Sequence, residues 1–203
     1  MNTYCNRRSL LAGVVCTSTL LAGCSSSDQA EQTEGETNQE RSDGPVIGSD
    51  VDLEAGLLVG TQLPDPFTLN YDSETPDQLA GSPSPTAGYA NRFVNQDASG
   101  DDIVFVESVI GRYEDIETAT RGLESTLSEF DQTTSDTAES GDAIGDYHIF
   151  SYENESGYTT TALFNRYGNI LHGVLTLGQT AYREEVTEFG QLQFLQVQRF
   201  DSN

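Results

Sequence analysis

Residues 146–177, DYHIFSYENESGYTTTALFNRYGNILHGVLTL, decide the fold class. Three runs rich in β-branched and aromatic residues, Asp146–Glu153, Tyr158–Tyr167 and Asn169–Leu177, are parted by Asn154-Glu155-Ser156-Gly157 and by the tight Tyr167-Gly168-Asn169. Short turns between such runs join antiparallel neighbours, so the segment predicts a three-strand meander.

Working outward, Ile103–Ile110 (IVFVESVI) has the composition of a central strand. Ala87–Asn95 (AGYANRFVN) alternates Tyr89, Asn91 and Phe93 with Ala90, Arg92 and Val94, the period of a sheet with one polar face. Phe67-Thr68-Leu69 reads as a short strand, and Asp72–Pro85 as a loop. Between the two strand groups, Asp115–Phe130 places Ile116, Ala119, Leu123, Leu127 and Phe130 on one helical stripe. Gly122 weakens that helix by about 1 kcal/mol relative to Ala, which points to a close neighbour. Asp131–Asp142 is an acidic loop, and Ala181–Phe200 closes the chain as a helix, although Gln191–Arg199 also alternates like a strand. Neither helix links parallel strands. The expectation is an α+β fold, an antiparallel sheet of about six strands covered by two helices.

The N-terminal end has another texture. Arg7-Arg8 precede an uncharged run from Ser9 to Gly23, which ends in Leu21-Ala22-Gly23-Cys24. The run is shorter than the roughly 20 apolar residues of a bilayer span and has the parts of an export signal. Leu21-Ala22-Gly23-Cys24 resembles the lipobox of prokaryotic lipoproteins, and Asn6–Leu11 resembles a twin-arginine signal, although Sec export uses similar residues. The resemblance implies removal of residues 1–23 and a lipid on Cys24, hence a membrane-anchored protein facing outside. Residues 24–50, rich in Ser, Thr, Gln and Glu, read as a disordered acidic linker, and 51–203 as the single domain.

The chain has 33 acids, nine arginines and no lysine. Losing the signal removes two arginines and no acid, which takes the net charge from −24 to −26. Such a surface lacks the basic footprint nucleic acid needs. It also repels itself until molar salt shortens the Debye length to about 3 Å. Lysine depletion with abundant acids resembles the proteins of extreme halophiles, notably haloarchaea.

The order of strands and helices is similar to the PsbP/Mog1-like fold, from Pro66-Phe67-Thr68-Leu69 through Ile103–Ile110 and Ile170–Leu177 to Arg199-Phe200. The tryptophan common near the start of that family is absent here. The resemblance implies binding or scaffolding, for example as an accessory subunit of a membrane complex.

Residues suited to chemistry are few. Cys5 and Cys16 leave with the signal, so the domain has neither a disulfide nor a thiol ligand, and blue-copper, iron–sulfur and attached-haem sites are excluded. No cofactor fingerprint occurs, and no cofactor is expected. His148 and His172 are the two histidines; brought together with a carboxylate, they would suit a cell-surface hydrolase or metal-dependent enzyme, the alternative to a non-enzymatic binding domain. Asp131, Asp136, Glu139, Asp142 and Asp146 read as a solvated loop more readily than as a calcium site. Asn154-Glu155-Ser156 is an N-glycosylation sequon at a predicted hairpin tip. The tyrosines and phenylalanines of the meander suit either the core or a contact face.

Overall fold

The computed structural model describes residues 44–73, 76, 79, 81–131 and 147–202. The expected signal residues Arg7, Arg8, Leu21, Ala22 and Gly23, the expected lipid site Cys24, and the acids at 136, 139, 142 and 146 lie outside the described residues.

Six strands form one antiparallel sheet. They are β1 (Phe67–Ser73), β2 (Ala87–Asn95), β3 (Phe105–Arg112), β4 (Tyr147–Glu153), β5 (Thr159–Tyr167) and β6 (Ile170–Gly178), in the spatial order β1-β2-β3-β6-β5-β4. Helix α1 (Ile116–Asp131) joins β3 to β4, and α2 (Arg183–Val197) follows β6. This is the expected α+β class. The helices lie on opposite faces of the sheet, because strand side chains alternate and each face needs its own cover.

On the α2 face, Val186, Phe194 and Val197 pack on Ile110, Ile149, Leu163 and Ile170. Phe189 extends that layer to Phe93, Val106 and Val174. On the other face, Ala119, Leu123 and Leu127 of α1 meet Val109, Ala162, Phe164, Leu171 and Leu175. Each such side chain, once fully buried, contributes about 1.5–3 kcal/mol, so the sheet centre is the most stable part. The neighbour expected at Gly122 is Tyr113, whose ring lies 2.6 Å from where a Cβ would stand. Burial pushes the Tyr113 phenol up to about 12.

Three local readings change, and one competing pattern is resolved in favour of the expected helix. β1 runs on to Ser73, where a loop from Asp72 was expected. Asn91 and Arg92 of β2 offer it a ladder, and a bulge between Leu69 and Tyr71 takes up one extra residue. β3 lies two residues later than Ile103–Ile110. The Gln191–Arg199 alternation yields to the helical period, since Phe194 and Val197 are buried while Leu195 is 54 % exposed. The domain also begins before Val51: Ile47 is 5 % exposed and belongs to the α2-side core.

That early entry is held by Asn169, in the β5–β6 turn. Its Oδ1 accepts from the Ile47 backbone N–H at 2.7 Å, and its Nδ2 donates to the carbonyls of Ile47 at 3.2 Å and Tyr113 at 2.8 Å. Gly168 beside it has φ +58°, and a Cβ there would overlap the Pro45 carbonyl. The chain therefore enters the domain at the β5–β6 end of the sheet.

Candidate functional site

The two histidines do not meet. β5 separates β4 from β6, with His148 opposite Phe164 and His172 opposite Asn165. Phe164 and Asn165 are consecutive and point to opposite faces, so the imidazoles do too. His148 lies half-buried on the α1 face, and His172 is sealed beneath α2. A shared acid–base or metal site built from this pair is thus overturned by the register. Among the described residues, no three His, Cys, Asp or Glu side chains gather as a metal site would require.

His172 is wholly buried. Its Nδ1 lies 3.4 Å from Gln193 Oε1, while Gln193 Nε2 donates to the Val109 carbonyl at 2.9 Å. That arrangement makes Nδ1 the donor and leaves Nε2 as an acceptor, with no partner among the described residues. Phe194 stacks on the ring at 5.8 Å. Desolvation lowers the imidazole to about 4, against a smaller opposing effect of the Gln193 bond. The ring is neutral, shielded and out of reach of any substrate.

Most meander aromatics are core. Phe150 and Phe164 stack at 6.1 Å, and Tyr167 meets Phe194 edge-on at 5.7 Å. A less covered stretch of the α1 side lies across β1, β2 and β3, where Tyr71 is exposed and Phe105 is half-buried. Arg92 and Glu107 are cross-strand partners there, and Arg92 Nη2 donates to the Glu107 Oε1 and Oε2 at 3.1 and 3.0 Å. Glu107 is 2 % exposed and is the one buried carboxylate among the described residues, whereas the Arg92 side chain is 36 % exposed. The guanidinium lies 4.9 Å from the centre of the Phe105 ring and 5.7 Å from that of Tyr71. Val94 and Leu177 share this face, both half-buried, and Tyr71 is 46 % exposed.

Burying a carboxylate costs several kcal/mol unless a cation answers it, and such pairs add little net stability. The pair is better understood as fixing a charged group in place. Two rings and a buried counter-charge hold Arg92 in one orientation, with part of its surface turned outward. This face therefore sets a half-exposed guanidinium, neutralised by a buried carboxylate, beside two aromatic rings.

No family model matches this chain, and no curated protein does. Among solved structures it is similar to the extracellular domain of PknH from Mycobacterium tuberculosis, at 11 % identity, over 74 % of this chain and 95 % of that one, with a TM-score of 0.47.

Asn154 stands where the sequence placed it, at the exposed tip of the β4–β5 hairpin. No helix among the described residues is long and apolar enough to cross a membrane. Sequence reasoning missed the Arg92–Glu107 pair and Asn169. Arg92 carried one available signal, a charge set between aromatic positions in a strand, but its partner depended on a register no short turn fixes.

Proposed function

We propose that this chain is a lipid-anchored, outward-facing binding domain of a halophile, which recognises a partner protein through the Tyr71–Arg92–Phe105 face and carries out no reaction of its own. The observation that carries this reading is the guanidinium set against two rings and a buried carboxylate, beside the exposed Tyr71. Tyr and Arg are the residue types most often found as binding anchors, and a prearranged arginine loses less freedom on contact than a mobile one.

Residues Leu21–Cys24 support the anchor, and the strand and helix order is in keeping with a PsbP/Mog1-like scaffold. Exposed acids and the absence of lysine support work in concentrated salt. The anchor and the face together would suit an accessory role beside a membrane complex.

The test is purification of the full chain from its own membranes at molar salt, with mass analysis of its N-terminus and bound proteins. The reading expects a lipid on Cys24 and a stoichiometric partner that Tyr71→Ala weakens about thirtyfold, as loss of a 2 kcal/mol anchor would. A chain that keeps Met1 contradicts the anchor. A partner held equally well by the variant contradicts the face.

A further inference from the structure

The hairpin between β4 and β5 is the part of the domain furthest along β5 from the point where the chain enters. β5 spans nine residues, about 27 Å. Ile47 is tied to Asn169 at one end of it; Asn154, Glu155, Ser156 and Gly157 form the turn at the other, and all four are exposed.

The turn presents Asn154 in a definite way. Its Oδ1 accepts from the backbone N–H of Ser156 at 2.9 Å and of Tyr158 at 3.1 Å. Its backbone N–H donates to the Tyr158 carbonyl at 2.8 Å, and Gly157, at φ +79°, returns a bond to the Asn154 carbonyl at 3.0 Å. The amide oxygen is thus engaged by the N–H groups of the loop, and the amide nitrogen donates to no group among the described residues. Ser156 is exposed two residues on, at the position the sequon requires.

We propose that Asn154 carries an N-linked glycan, at the end of β5 opposite the point where Ile47 enters the core. This rests on the export reading above, since the donor sugar is met outside the cytoplasm. In the transfer, Asn154 Nδ2 forms a C–N bond to the anomeric carbon of an oligosaccharide carried on a polyprenyl phosphate. The bond from that carbon to the phosphate oxygen breaks, the phosphate leaves with the electron pair, and the amide proton passes to a base of the transferring enzyme. No oxidant or reductant takes part. A glycan here stands at the β4 edge of the sheet, and β1 with Tyr71 forms the opposite edge, so the contact face stays clear.

The chain purified from its own membranes is cleaved after arginine, which places Asn154 on the peptide Gly122–Arg166. The expected result is this peptide carrying an added saccharide mass, abolished by Asn154→Gln and by Ser156→Ala and kept by Ser156→Thr. An unmodified peptide beside a lipid-bearing Cys24 peptide would overturn the glycan and leave the export reading standing. An unmodified peptide from a chain that still begins at Met1 would overturn both. A sugar that survives Ser156→Ala would also overturn the proposal, because the sequon would not be what directs it.

Discussion

The two sides of the sheet treat their polar residues in opposite ways. Beneath α2, His172 is sealed, neutral and paired through one nitrogen. Across β1–β3 on the other side, Glu107 is as deeply buried but brings Arg92 with it, and Arg92 reaches solvent. Burial of a titratable group is therefore no guide to a working site by itself. What differs is whether the group remains connected to the surface, and of these two only the Arg92–Glu107 pair does.

The contrast breaks most visibly if Arg92 is removed. Arg92→Ala leaves the Glu107 carboxylate without its guanidinium and is expected to cost about 3 kcal/mol, read as a lowered denaturation midpoint. Arg92→Met combined with Glu107→Leu is expected to fold within about 1 kcal/mol of the parent, because the desolvated pair returns little net energy. The double variant should nonetheless lose its partner. A double variant as unstable as the single would show that the pair holds up the fold, not a contact face.

The sealed side answers to acid. Above pH 6.5 His172 is neutral whether the chain is folded or not, and adds no pH dependence. Below that, the unfolded ring gains a proton which the folded ring refuses until about pH 4. Stability therefore declines across this window, by on the order of 3 kcal/mol from this one group, and then levels off. His172→Gln should remove that share of the slope between pH 6.5 and 4, seen in denaturation midpoints at constant salt. An unchanged slope would mean that the ring is not sealed.

Gly122 gives a smaller effect on the covered half of the α1 face. Alanine gains about 1 kcal/mol of helix propensity, but its Cβ meets the Tyr113 ring at 2.6 Å. Overpacking of about 1–3 kcal/mol should outweigh the gain, so Gly122→Ala is expected to melt lower. A higher melting temperature would show that Tyr113 moves aside freely.

Much of this architecture is legible in the residues. The alternation in Ala87–Asn95, the stripe Ile116–Leu127 and the two hairpin turns of the meander all predict elements that form, and Gly122 announces its neighbour. The site is less legible, for a physical reason. Which face a strand residue occupies is local, but which residues share a face depends on register, and a slip of one reverses every side chain. His148 and His172 look like possible partners until both hairpin registers place them back to back. Arg92 and Glu107 meet across a connection too long to fix a register by turn type. Asn169 looks like an ordinary turn residue because its partner Ile47 is 122 positions away.

The most direct test compares the two sides in intact cells. A photo-reactive side chain is placed at position 71 on the Arg92 face, or at position 195 on the outer surface of α2, two sites of similar exposure. Illumination at molar salt should join another protein to position 71 in good yield and leave position 195 with only scattered adducts. Equal labelling of the two sites, or a defined adduct at 195 alone, would contradict the assignment of the Tyr71–Arg92–Phe105 face.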